Sequence, residues 1–370
     1  MGQYWRLINL DKRQAWPPYL GFKLGEQLFS RYYNGLPLLL ARPSGAKIVI
    51  ETELDQDVTG DTLCDDMKKA SLTDEVKAQH PTVSRSNAPG TIGGLPVEIL
   101  VVIFDHITDF NDMASLSLAN KTLWLVGYRC IQMRNAREFP QWAGDRLICV
   151  GDYALASGLP EDVFTEDELE EFRLTIKGEN RNEDDDEFRW ARVPLGDVLV
   201  YNEWQWVTIR SQRFYRWDET FLHDQLRCPS NDLMKTLFDH LNLAEMLYDA
   251  TQEWVLCNLT KCEFIRAAAI AQLTGTKNAK GPFIGKGMTL GQVLIAHIAW
   301  SDDPSVAMMI GYEPGSDIHR GRWAGDRFEI TTTDRVKNLV EEWKDISDEA
   351  AKRMETIWEA EFDEEWRVRT

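Results

Sequence analysis

The chain has few cysteines, and none of them is arranged for chemistry. Cys64, Cys130, Cys149, Cys228, Cys257 and Cys262 are scattered through 370 residues with no C-x-x-C pair. That spacing supports neither a disulfide framework nor a zinc site, and it suits a reducing compartment, the cytoplasm or nucleus. Positive charge is also scarce: 41 Lys and Arg stand against 60 Asp and Glu, a net −19. Such a chain lacks the cations that neutralise phosphates, so neither nucleic acid nor an anionic membrane is expected as a partner. Apolar runs such as 36–41 and 99–104 fall far short of the ~20 residues that span a bilayer. Residues 1–12 lack a basic stretch followed by an apolar one, so no secretory leader is expected. The six histidines form no H-x-x-x-H or H-E-x-x-H, and no G-x-S-x-G is present. Gly281 to Gly287 has three residues between its first glycines where a P-loop needs four, and Gly287 stands where Ser or Thr must hold magnesium. No metal or cofactor is expected, and no catalytic residue is assigned.

What the sequence does contain is self-similarity. Trp5-Arg6-Leu7-Ile8-Asn9-Leu10-Asp11-Lys12 is echoed by Trp254-Val255-Leu256-Cys257-Asn258-Leu259-Thr260-Lys261. Leu24-Gly25-Glu26-Gln27-Leu28 is echoed by Leu290-Gly291-Gln292-Val293-Leu294, and Trp142-Ala143-Gly144-Asp145-Arg146-Leu147 by Trp323-Ala324-Gly325-Asp326-Arg327-Phe328. The first copy spans 68 residues more than the second between its outer blocks, which marks an insertion before Trp142. Trp5, Leu7 and Asn9 alternate with Arg6, Ile8 and Leu10 as a half-buried strand does. Residues 147–150 and 328–331 supply short strands after the third block. The expected fold is α+β: two related strand-helix-strand units, an inserted three-helix module and C-terminal amphipathic helices.

Polar residues repeat with the apolar ones. Asn9, Lys12, Asp145 and Arg146, with Asn258, Lys261, Asp326 and Arg327, have two readings. They converge on a ligand carbonyl or carboxylate with Trp142 or Trp323 as a stacking wall, or they cap turns and tie them to their neighbours. Duplicated turns are commoner than duplicated sites, so the structural reading leads.

The boundaries follow from composition. The first unit takes 1–52 and 140–153, a polar linker 53–94, a helical module 95–139, and the second unit 254–333. Between them, 154–253 connects, with an acidic loop at 161–187 holding 13 acidic and 3 basic residues. Residues 198–215 look like further strand and 232–248 like helix. Beyond 334, Val336, Leu339, Val340, Trp343 and Ile346 recur at helical spacing, and Met354, Ile357, Trp358 and Phe362 do so again, predicting two helices that pack on the body.

Within the insertion, Pro96 stands where a helix begins and costs little there. Ile99, Leu100, Ile103, Phe104 and Ile107 then form an apolar stripe, followed by Met113, Leu116 and Leu118 and by Leu123, Trp124 and Val126. A module of about forty residues buries little by itself and needs a neighbour. The run Leu95-Pro96-Val97-Glu98-Ile99-Leu100, then Ile103-Phe104, then Leu116-Ser117-Leu118-Ala119 and Trp124, resembles the F-box; Phe110-Asn111-Asp112-Met113 departs from its usual pattern. The resemblance covers about a tenth of the chain. It implies docking on a Skp-type adaptor of a cullin-based ubiquitin ligase through Leu95, Pro96, Ile99, Leu100, Ile103 and Phe104, while the remainder selects an unknown protein substrate. The implied protein is a substrate receptor without catalytic activity; a small-molecule binder or enzyme of unrecognised type on the repeated body is the alternative. The repeated blocks are also similar to sequences in fungal proteins of unassigned function, which bring no activity with them.

Overall fold

The computed structural model describes residues 3–16, 22–29, 35–44, 92–138, 140–160, 162–179, 193–200, 205–206, 247–249, 251–275, 281–282, 288–304, 317–337 and 342–369. The chain divides into two compact units. One takes 1–42, 140–212 and 249–370, the other 43–139 and 213–248.

The first unit is α+β, built on a mixed sheet of nine strands among the described residues. These are β1 (Trp5–Asn9), β2 (Gln14–Trp16), β3 (Asp145–Gly151), β4 (Gln205–Trp206), β5 (Trp254–Asn258), β6 (Glu263–Arg266), β7 (Ala299–Trp300), β8 (Arg327–Thr332) and β9 (Lys344–Asp345). Their order is β4-β2-β1-β3-β8-β5-β6-β9, with β7 added beside β3. Read from either edge inward, the pattern is the same. A two-residue strand runs parallel to the outer strand of a hairpin, and the hairpin's inner strand is antiparallel to a longer strand. The two longer strands, β3 and β8, meet at the centre with Arg146 opposite Arg327.

Burial explains the composition of the central strands. In β1 and β5 all residues but Arg6 are buried, so both faces of the sheet are covered, not the single face that half-buried alternation predicts. On one face Ile8, Leu10, Ile148 and Val150 pack with Leu195 and Leu199 of a short helix. On the corresponding face of the other half, Val255 and Cys257 pack with Val336. The helices that follow the hairpins are α1 (Leu24–Leu28) and α2 (Gly35–Leu40) in the first half. In the second they are α8 (Ala267–Leu273) and α9 (Leu290–Ile298). Thr289 opens α9 with a capping box closed by Gln292, and all nine of its residues are buried.

The second unit contributes α3 (Val97–His106), α4 (Phe110–Ser117) and α5 (Lys121–Glu138). Leu100, Phe104, Met113, Leu123, Val126, Cys130 and Ile131 form its core. Gly127 is required there, because a Cβ would lie 2.6 Å from the Phe104 ring and 2.1 Å from Ser117 Oγ. Arg134 Nη1 donates to the Ile107 carbonyl at 2.6 Å and so ties α5 to the end of α3.

Several expectations change. The acidic stretch expected as a loop is helical over α6 (Glu166–Glu179), where Glu166, Asp167 and Glu168 complement the positive end of the helix; the run 183–187 lies outside the described residues. Residues 198–200, the start of the segment expected as strand, belong to helix α7 (Leu195–Val200), and Gln205–Trp206 is the strand there among the described residues. Of the first predicted C-terminal helix, α10 (Thr333–Lys337) is helical, 338–341 lie outside the described residues, and Lys344 and Asp345 join β6 as its parallel neighbour. The second is α11 (Ser347–Phe362), with Met354, Ile357 and Trp358 buried as its period demands. After it come a short turn and α12 (Trp366–Arg369). The strand at 207–215, nearly all of the helix at 232–248 and the linker before Ile92 lie outside the described residues.

Candidate functional site

The repeated polar residues meet at two hairpin ends. Wholly buried Asn9 closes β1, and its Oδ1 accepts from the Lys12 backbone N at 2.9 Å, shaping the turn into β2. Asn258 does the same after β5, accepting from Lys261 N at 3.0 Å. Each turn ends on a non-glycine residue in the left-handed region, Arg13 (φ 51°) or Cys262 (φ 51°).

Across from each hairpin stands a Trp-Ala-Gly-Asp turn. Asp145 N donates to the Trp142 carbonyl at 3.1 Å and Asp326 N to that of Trp323 at 3.0 Å. Gly144 (φ 94°) and Gly325 (φ 85°) hold the third position, which needs a residue tolerant of positive φ. Asn9 Nδ2 donates to Asp145 Oδ2 at 2.8 Å, and Asn258 Nδ2 to Asp326 Oδ2 at 2.8 Å. Lys12 Nζ lies 2.5 Å from Asp145 Oδ2 and Lys261 Nζ 2.6 Å from Asp326 Oδ2. Both ammonium groups donate again, to the carbonyls of Gln141 and Arg322.

Trp142 and Trp323 are wholly buried, so neither stands as a wall open to a ligand. Their indole N–H groups donate to Gln14 Oε1 and Glu263 Oε2, each at 2.7 Å. The donors and acceptors of Asn, Lys and Asp are thus directed at one another and at backbone. The arrangement fastens a hairpin to a turn; among the described residues it presents no group toward a ligand.

At the centre the two halves differ. Asp11 Oδ2 accepts from Arg146 N at 2.9 Å, Asp11 Oδ1 from Arg146 Nε at 2.8 Å, and Asp11 Oδ2 also from Arg327 Nη1 at 2.7 Å. Thr260 stands in the corresponding place, its Oγ1 accepting from Arg327 N at 2.9 Å. Glu168 takes the other side of Arg146, with Arg146 Nη2 at 2.6 Å from Oε1. That hydrogen bond pulls the Glu168 carboxyl from its ordinary 4.5 down to about 2, against an opposing contribution from burial. Burial alone raises Asp11, but the hydrogen bonds and charge of Arg146, with the charge of Arg327, outweigh it and leave the carboxyl below its usual range.

The second repeated block does not occupy equivalent places. Trp142 N donates to the Leu39 carbonyl at 2.9 Å, and Trp323 N to the His297 carbonyl at 2.9 Å. Ala41 bridges Ile330 in parallel, while Ala299 pairs with Cys149 in parallel. The counterpart of α9 is therefore α2, not Leu24–Leu28. The correspondence also runs past 153 and 333, to β4 and β9. Sequence reasoning missed this, although Glu203-Trp204-Gln205 and Glu342-Trp343-Lys344 carried the signal.

His297 also went unassigned. It is buried against Trp323, with ring centroids 4.7 Å apart, and its Nδ1–H donates to the Val293 carbonyl at 2.7 Å. Burial pushes its pKa down to about 3, so the imidazole is neutral.

The six residues implied as an adaptor surface divide by burial. Leu95, Pro96 and Ile99 are exposed and Ile103 is half-buried. Leu100 and Phe104 are wholly buried among α3, α4 and α5. That corrects their assignment, because a side chain committed to the module's own core supports a face without forming it. Val97, Val101 and Val102, which the motif left out, are exposed beside them.

Among the described residues no helix is long and apolar enough to cross a membrane. No protein family, curated protein or solved structure matches the chain.

Proposed function

We propose that this chain is an F-box-type substrate receptor, working in the cytoplasm or nucleus. The helical module docks on a Skp-type adaptor of a cullin-based ubiquitin ligase, and the α+β unit holds a protein substrate. One observation carries the reading beyond motif resemblance: Leu95, Val97, Ile99, Val101 and Val102 are exposed aliphatic side chains leading into and along α3. Leu95, Ile99 and Val102 fall at i, i+4 and i+7, and such a patch is a candidate surface for a protein partner.

The α+β unit is read as two copies of one hairpin, helix, strand, helix and edge-strand element, related by a pseudo-twofold axis between Arg146 and Arg327. The matched hydrogen bonds at Asn9 and Asn258 support that reading. The alternative, a small-molecule binder or enzyme, draws no support from the Asn, Lys and Asp sets, whose polar atoms engage one another.

Co-purification of the full chain with a Skp-type adaptor tests the proposal. A stable complex is expected, lost in the double variant Ile99→Asp, Val102→Asp, whose positions are exposed and leave the core intact. Absence of a wild-type complex, or an equal yield from the double variant, overturns it.

A further inference from the structure

We propose that Thr260 is a phosphorylation site, and that phosphothreonine there completes an ionic clamp whose other half is Asp11. Both residues stand two positions after the buried Asn and one before the paired Lys of their hairpins. Both accept a hydrogen bond from the backbone N–H of the arginine opposite, Arg146 N to Asp11 Oδ2 at 2.9 Å and Arg327 N to Thr260 Oγ1 at 2.9 Å. Only Asp11 adds charge. It binds the guanidinium of its own half, Arg146 Nε at 2.8 Å, and reaches across the centre to Arg327 Nη1 at 2.7 Å. Thr260 repeats the backbone contact and neither guanidinium contact.

Two arginines therefore share one carboxylate where β3 and β8 meet through only two residue pairs, Asp145 with Phe328 and Arg146 with Arg327. Arg327, 46% exposed, takes its anion, Asp11, from the other half. Thr260 is exposed at the hairpin end, open to a protein kinase. In the transfer the threonine Oγ bonds to the terminal phosphorus of a nucleoside triphosphate. Its proton passes to the kinase's base, and the bond to the leaving nucleoside diphosphate breaks. The added group carries a charge of about −1.5 to −2 and three acceptor oxygens. It falls beside the backbone N–H of Arg327, within the span over which Asp11 engages both guanidinium groups. Arg327 gains an anion of its own, Asp11 is left to Arg146, and the junction between the halves tightens.

The proposal does not depend on the adaptor reading. Peptide mapping of the full chain purified from the cells that make it, with phosphatases inhibited, is expected to find phosphate on Thr260. In parallel, thermal melting compares Thr260→Glu with the neutral Thr260→Gln, each with and without Arg327→Gln. The acidic variant is expected to melt about 2–4 °C above the neutral one at low salt, and the gap to close when Arg327 is removed. Thr260→Asp supplies the same comparison with a shorter reach. The proposal is overturned if the Thr260 peptide is found only unmodified, if neither acidic variant melts above Thr260→Gln, or if the gap survives the loss of Arg327.

Discussion

Asn9 and Asn258 are wholly buried polar residues, and each resolves the cost of burial by satisfying the turn beside it. Their Asp partners accept from both the amide and the lysine. The half-exposed Lys contributes little as an ion pair, so the buried amide hydrogen bonds carry most of the stabilisation. His297 poses the opposite problem, a titratable ring held neutral in an apolar place. Its counterpart Leu39 offers its carbonyl to the same kind of tryptophan N–H, so His297→Leu is the natural replacement. An unfolded histidine titrates near 6.5, whereas His297 folds with a value of about 3. Below 6.5 the unfolded chain binds a proton that the folded one refuses, so stability complete above that pH is lost progressively as pH falls toward 3. Thermal melts from pH 7 to pH 4 are expected to show a steeper loss in the wild type than in His297→Leu; parallel curves would refute it.

At the scale of the element, the two Trp-Ala-Gly-Asp turns look interchangeable and are not. A Cβ on Gly144 would meet only Arg42 Nη2 at 3.4 Å, while one on Gly325 would meet the Val163 methyls at 2.4 and 2.5 Å. Both glycines have positive φ. Gly144→Ala is expected to cost about 1–2 kcal/mol from backbone strain, and Gly325→Ala about 1–3 kcal/mol more from overpacking. Urea unfolding measures both, and equal losses would show that Val163 moves aside freely. A helix was legible where a single face decides it, as in α11, whose apolar period matches its buried Met354, Ile357 and Trp358, whereas in α3 only Leu100 and Phe104 of the expected stripe are buried. Residues 344–345 misled, because the helical spacing of Val336, Leu339, Val340, Trp343 and Ile346 runs through a segment where pairing with β6 decides the conformation. Sheet pairing is non-local and overrides a local period.

At the scale of the molecule, the insertion leaves a first-unit loop whose ends are already joined. The Leu39 carbonyl and Trp142 N are 2.9 Å apart, and Arg42 Nη2 donates to the Ala143 carbonyl at 3.3 Å. In the other half Gly321 N closes on the Ala299 carbonyl at 2.7 Å across a much shorter connection. Longer loops add closure entropy only slowly, so an insertion here costs the sheet little. Replacing 92–138 with a short Gly/Ser linker is therefore expected to leave a cooperative melt within about 5 °C of the full chain. Loss of that transition, or a soluble aggregate by gel filtration, would show that the sheet needs the helical module.

By itself the sequence determined the strand at Trp5–Asn9, the two glycine turns, the helical stripe of the insertion and the identity of the residues that recur. Each of these rests on local rules: alternation, positive φ, and one apolar face. Only the tertiary structure decided which recurring residues correspond. Leu24–Leu28 matches Leu290–Leu294 by letters, but parallel pairing of Ala41 and Ala299 with the opposite half assigns that place to α2. It also decided that Leu100 and Phe104 face inward and that Asp11 serves both Arg146 and Arg327. The pairings of Ala41 and Ala299 and the contacts of Asp11 join residues more than a hundred positions apart, and the inward turn of Leu100 and Phe104 is set by the packing of α4 and α5; no spacing along the chain records either.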